Sequence, residues 1–173
     1  LYRNDNGMLT SSAVWSSPET GRTYAVAWGD YDADGYLDLA ATDFCFAVSD
    51  CHSARLYHNA HGTLVPIAVW SSSETGYTWS AAWGDADGDG DLDLAAAGDA
   101  IEGFEPNRVF ENVRGELSTT AVWATADARE AGGALQQSQD VAWGDVDGDG
   151  DLDLALANSC AGRDCDAPGA AIG

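Results

Sequence analysis

Carboxylates recur at alternate positions in three short stretches of the chain. In the first, Asp30, Asp32 and Asp34 alternate, Gly35 follows, and Asp38 closes a nine-residue run. Asp85, Asp87, Asp89 and Asp93 repeat the pattern, and Asp145, Asp147, Asp149 and Asp153 repeat it again. A loop that curls through alternate carboxylates aims them at one centre, and the glycine permits the sharp turn. A hard cation that takes six to eight oxygens at roughly 2.3–2.6 Å fits such a loop. Four carboxylates, water and the main-chain carbonyl of the seventh loop residue would supply those oxygens; the seventh residues are Tyr36, Asp91 and Asp151. Calcium is favoured over magnesium, which holds its own waters and avoids all-protein cages. Zinc would call for Cys or His, and neither lies in the loops. One such run reads equally well as a solvated acidic turn, but three in register do not. Two carboxylates ~5 Å apart at an effective dielectric of ~20 repel by roughly 3 kcal/mol, so a loop holding several pairs needs a counter-ion to close. Three calcium sites are therefore expected.

The closing acid stands at the ninth position and is Asp, and Leu-Asp-Leu-Ala follows it. That alternation has the period of a strand, so the loop joins two strands of a hairpin and is not a helix–loop–helix. A second landmark repeats with the first. Leu1-Tyr-Arg-Asn4, Leu56-Tyr-His-Asn59 and Val109-Phe-Glu-Asn112 each precede a glycine by three residues, at Gly7, Gly62 and Gly115. Each then runs on to Ala-Val-Trp, ending at Trp15, Trp70 and Trp123.

One unit, residues 24–70, reads as four strands. Tyr24–Trp28 is apolar on both faces, which implies an inner strand buried on both sides. Strand two is expected over Tyr36–Thr42, strand three over Ala54–Asn59 and strand four over Thr63–Trp70. Pro66 cannot donate to a ladder, which makes the last strand a sheet edge. Such a four-stranded antiparallel sheet, inner strand first and edge strand last, is a propeller blade. The chain then divides as strands three and four of a split blade (1–15), two whole blades (24–70 and 79–123), strands one and two of another split blade (139–157), and a loop with a tail (158–173).

The pattern resembles the FG-GAP/VCBS repeat family, the calcium-loop blades of integrin-α-type β-propellers. Trp28-Gly29, Trp83-Gly84 and Trp143-Gly144 stand where that family has an aromatic-glycine pair. The resemblance covers essentially the whole chain and implies an all-β fold of propeller-type blades with calcium in the hairpin loops. The Gly-Ala-Pro element of the integrin form is missing, which places the chain nearer the bacterial-type branch. For function the resemblance is broad, because such blades serve adhesion proteins, lectins and enzyme appendages alike.

The chain has 173 residues, 45% of them hydrophobic, and a net charge of −22. One domain with a core is within reach, while nucleic acid and anionic membranes are disfavoured as partners. Nothing reads as a membrane helix. The cysteines form two close pairs, Cys45/Cys51 and Cys160/Cys165, each beginning seven residues after a loop's closing Asp. Metal-site spacing would be tighter and bring further ligands, so two local disulfides are expected. They imply an oxidising compartment, hence an extracellular, secreted or cell-surface protein.

No nucleophile elbow, phosphate loop or ordered Ser/His/Asp set is present, and the aspartates are committed to calcium, so catalysis is not expected. His52, His58 and His61 read as scattered surface residues more readily than as a metal site. Six of the seven tryptophans fall at two fixed repeat positions and read as blade packing. Trp79 stands outside those positions; core packing is still the favoured reading for it, with a sugar-stacking platform as the alternative, and with Phe104 it marks a candidate ligand rim, opposite the calcium loops. Three functions compete: a structural or adhesive module, a carbohydrate-binding lectin-like propeller, and an accessory domain of a secreted enzyme. Glycans or cell-surface proteins are the outside partners they imply. The split blades add an expectation of pairing, either head-to-tail between copies into a ring or filament, or with further repeats of one chain.

Overall fold

The alternating segment around Tyr24–Trp28 forms the first strand of a four-stranded sheet in the computed structural model, which describes residues 1–19, 21–44, 52–98, 106–125 and 136–160. The described residues are all-β. A first hairpin joins β1 (Asn4–Asp5) to β2 (Met8–Leu9). The first complete blade has strands β3 (Thr23–Gly29), β4 (Asp38–Asp43), β5 (Ala54–Tyr57) and β6 (Trp70–Ser71), in that spatial order. The second has β7 (Thr78–Gly84), β8 (Asp93–Gly98), β9 (Arg108–Phe110) and β12 (Trp123–Ala124), with the small hairpin β10 (Asn112–Val113) and β11 (Glu116–Leu117) at one end. A last pair, β13 (Gln136–Gly144) and β14 (Asp153–Cys160), has the register of a blade's first two strands, with Gly144 opposite Asp153 as Gly84 is opposite Asp93. These are β-propeller-type repeats built of small antiparallel sheets.

Strand two carries the reason the blades stack closely. Asp-Leu-Ala-Ala-Thr-Asp and Asp-Leu-Ala-Ala-Ala-Gly are buried along their whole length. Alanine on both faces of a middle strand lets the neighbouring sheets approach. Leu94, Ala96 and Phe110 of the second blade join Ala40, Ala54 and Leu56 of the first in one core cluster.

The tightest contact lies on the inner strands. The indole of Trp83 rests on Gly29, and the indole of Trp143 rests on Gly84. Each indole Nε1–H donates to a carbonyl of the strand it covers, Ala27 and Ala82 respectively, at 3.2 Å in both cases. A Cβ at Gly84 would stand 2.5 Å from the Trp143 ring, so only glycine allows the approach. The aromatic-glycine pair is thus a knob on one blade and a socket on the next.

The outer strand is shorter than the expected Thr63–Trp70. Only Trp70–Ser71 pairs regularly with β5. The preceding stretch follows β5 by two separated bonds, Val65 N–H to His58 O and Val69 N–H to Leu56 O. The bow recurs in the second blade, where Ser118 and Val122 bond Glu111 and Val109. No proline stands there, so Pro66 occupies a gap that the repeat already has. Strand two likewise begins at Asp38 and leaves Tyr36 and Leu37 in the loop. The inner strand β3 departs from expectation too, since Val26 is 57% exposed and Trp28 44%. Burial of that face requires another blade in front, and none lies there among the described residues.

Replacing Gly84 with alanine should therefore lower stability by about 1–3 kcal/mol, the cost of overpacking a filled contact. Urea unfolding in calcium buffer, compared with the unaltered chain, measures it.

Candidate metal centres

Each acidic loop is wound by its own side chains. Asp30 accepts N–H bonds from Asp34 and Gly35, Asp32 from Asp34, and Asp34 from Tyr36. Asp85, Asp87 and Asp89 accept from Gly90, Asp89 and Asp91 in the second loop. Asp145, Asp147 and Asp149 do the same with Gly148, Gly150, Asp149 and Asp151 in the third. A carboxylate that holds the main chain two to five residues on makes a tight turn without other support. The turn needs left-handed backbone at two places. Gly88 and Gly90, and Gly148 and Gly150, supply it in the last two loops, while Ala33 (φ 57) takes the first place in loop one. Alanine is strained there, and glycine is not.

The winding gathers carboxylate oxygens. Asp85, Asp87 and Asp93 have ligand atoms within 4.8 Å of one another, as do Asp145, Asp147 and Asp153. In the first loop, Asp30, Asp32 and Asp34 form one such set, and Asp32, Asp38 and His58 form another. Asp89 and Asp149 stand outside these sets. Of the seventh-position residues, Asp91 accepts the Arg114 N–H with its side chain, and Tyr36 and Asp151 keep their places in the turn. Asp85 Oδ1 is fully shielded from solvent and has no hydrogen-bond partner. A buried carboxylate oxygen without a partner is costly unless a cation meets it. All-oxygen donor sets in the second and third loops fit a hard divalent ion.

The closing aspartate has a second task. Asp38 accepts the Tyr31 N–H of its own loop and the Asn59 N–H of strand three. Asp93 accepts the Ala86 and Asn112 N–H groups in the same way. Burial pushes both carboxyl groups up from the usual range, and Asp87 and Asp89 add to the rise at Asp93. Asn112 goes further: its side-chain amide donates to Leu92 O of its own loop and to Tyr31 O of the preceding blade's loop. Adjacent acidic loops are thus tied by one buried side chain.

Two features escaped the sequence reading. His58 is not a stray surface residue, because its Nδ1 lies 3.3 Å from Asp32 and 3.2 Å from Asp38. Its alignment with Glu111 and Arg3 gave no hint, since the position carries no fixed charge. The connector Trp-Ser-Ser-x-Glu-Thr-Gly, present at Trp15 and again at Trp70, was the other missed signal. Its glutamates are clamps. Glu19 accepts the Ala68 N–H and the Tyr57 hydroxyl, and Glu74 accepts the Ala121 N–H, so each connector is pinned to the outer strand of the next blade.

On the candidate ligand rim, Trp79 stacks edge-on against Tyr24 at 4.3 Å and lies near Phe44. Its ring lies half-buried at the boundary between blades. Phe104 lies outside the described residues, as do Cys45, Cys51 and Cys165; Cys160 ends β14, and its side chain is not described.

The Asn112 bridge gives a direct expectation. Asn112→Ala removes two buried donors and leaves two loop carbonyls unanswered, and should cost about 2–3 kcal/mol. Asn59→Ala should cost less, because among the described residues the Asn59 side-chain amide donates to Leu37 O alone. Paired chemical-denaturation curves decide it.

A family model described as an FG-GAP-like repeat matches residues 1–41 and 41–96. A comparison with curated proteins finds no match. The two repeat matches take in the hairpin Asn4–Leu9, the first two acidic loops and the first complete blade. Together they span more than half of the sequence, and the chain belongs to the FG-GAP-like repeat family.

Proposed function

We propose that this is a calcium-stabilised structural or adhesive module of an extracellular protein, in which calcium is a folding ligand and not a reactant. The observation that carries the reading is the shielded, unpartnered Asp85 Oδ1 inside a carboxylate cluster that recurs in three loops. The closing aspartates extend the effect from the loops to the blades, because each also holds strand three. A cation that neutralises a loop therefore relieves a buried charge at the seam of the sheet. Among the described residues no helix is long and apolar enough to cross a membrane. Trp79 is half-buried against Tyr24, which favours packing over a sugar-stacking role at that position.

Binding to the native state alone adds stability by mass action, about 2.7 kcal/mol per site at roughly 100 times the dissociation constant. Removing calcium with EGTA should lower Tm by on the order of 10 °C or more. Asp87→Ala should give part of that loss, and a melt unmoved by EGTA would remove calcium from the account.

The oxidising compartment has its own test. Cys45–Cys51 and Cys160–Cys165 are proposed as disulfides that close short loops and add modest stability. Non-reducing peptide mapping should recover both pairs; free thiols or crossed pairs would reject them.

A further inference from the structure

The third aspartate of a loop and its closing aspartate cluster in all three loops: Asp32 with Asp38, Asp87 with Asp93, and Asp147 with Asp153. The third member of the cluster differs. Asp85 completes it in the second loop and Asp145 in the third, each the first aspartate of its own loop. In the first loop His58 completes it, from just beyond strand β5. A nitrogen donor thus stands in a cluster whose two counterparts offer oxygen alone.

The main chain fixes His58 at this place. The Val65 N–H bonds His58 O, as the Ser118 N–H bonds Glu111 O and the Thr10 N–H bonds Arg3 O. The position is therefore equivalent in three hairpins, and its residue runs Arg, His, Glu along the chain. A guanidinium has no lone pair to give, and a carboxylate gives only oxygen. Imidazole alone in this series presents a nitrogen to a metal.

The separations suit a shared ion better than a direct ion pair. His58 Nδ1 lies 3.2 Å from Asp38 Oδ1 and 3.3 Å from Asp32 Oδ2. A charge-assisted N–H···O bond closes to about 2.7–2.9 Å. A tetrahedron with arms of about 2.0–2.1 Å, the length of zinc bonds to imidazole and carboxylate, has edges of about 3.3–3.4 Å. The single Nδ1 proton serves one acceptor well, whereas a cation among the three atoms meets all of them.

The surroundings hold the donors in place. Asp38 is fully buried, and its Oδ1 and Oδ2 accept the Asn59 and Tyr31 N–H groups. Such outer bonds orient a ligating carboxylate. The Tyr31 ring stands edge-on to the imidazole at 6.3 Å. Asp32 turns Oδ2 to His58, while its Oδ1 accepts the Asp34 N–H. The side chains of His58 and Asp32 are 26% and 25% exposed, so solvent reaches the cluster and water can take a fourth position.

We propose that Asp32, Asp38 and His58 form a site for a borderline divalent cation of the zinc class, chemically distinct from the calcium sites proposed for the all-oxygen loops. Imidazole nitrogen suits zinc, copper, nickel and iron, while calcium and magnesium take oxygen. The ion ties the first acidic loop to the end of strand β5, reinforcing the bond that Asp38 makes to the Asn59 N–H. Calcium in excess leaves it in place, because calcium does not compete for the nitrogen. The site uses donor chemistry that the calcium reading does not, so either can fail without the other.

The test uses the 173-residue chain, stripped of metal and with thiols blocked by iodoacetamide so that cysteine offers no ligand. Zinc is titrated calorimetrically in about 2 mM calcium, above the range of extracellular calcium sites. One zinc ion per chain should bind. His58→Gln should weaken it by at least about tenfold, the least that losing even an outer partner of a ligand costs. His61→Gln should leave it unchanged. Cobalt in place of zinc should give the strong visible bands of a four-coordinate ion, and His58→Gln should abolish them. The unaltered chain gives a reading that needs no variant: of its three histidines, one should shift its Nδ1 resonance on zinc addition in long-range proton–nitrogen NMR spectra. No zinc uptake in calcium buffer, uptake indifferent to His58→Gln, or imidazole resonances unmoved by zinc would each overturn the proposal. A calcium-dependent melt that persists in His58→Gln would show the calcium reading standing apart from that outcome.

Discussion

An indole lying on a glycine sets the spacing of the whole array. Trp83 on Gly29 and Trp143 on Gly84 bring successive inner strands into contact, and the Nε1–H bonds to Ala27 and Ala82 fix the angle of each ring. Other choices follow from that distance. The second strands must be lean, and they are rich in alanine; a run of Leu or Ile there would hold the sheets apart. The outer tryptophans Trp15 and Trp70 sit at a wider radius, where the blades diverge and an aromatic pair fills the wedge. The connector glutamates then fasten each blade's first strand to the outer strand of the same blade.

The acidic loops are part of this frame and not ornaments on it. Asp38 and Asp93 are almost fully buried, and each divides its two oxygens between the loop and strand three. Anionic carboxylates at such places are expensive without compensation, and main-chain donors meet only part of the cost. The sequence of the loop is therefore constrained twice, once by the oxygen cluster and once by the sheet.

Much of this was legible from periodicity. The three loops, the hairpin glycines and the four-strand rhythm follow from residue spacing alone, because turns and alternation are local properties. Tertiary neighbours decided what spacing did not reveal. Trp28 and Trp83 are the same residue in the same motif, yet of the two only Trp83 covers a glycine among the described residues. His58 occupies a position that is Arg or Glu in the other repeats, and only the fold places it beside Asp32 and Asp38. The bow of the outer strand was invisible because Leu64–Val69 is a short apolar run that reads as a strand; its bonds to β5 and His58 skip residues. Glu19 and Glu74 were hidden in connectors whose period is neither that of strand nor of helix.

The Asn112 amide spans two blades, touching Leu92 O in its own loop and Tyr31 O in the one before. Such a bridge makes each repeat's stability conditional on its neighbour, the arrangement of a one-dimensional lattice with nearest-neighbour coupling. Opening of the loop at Asp30–Asp38 would then withdraw support from the loop at Asp85–Asp93, and ions held in the two would leave together rather than one by one.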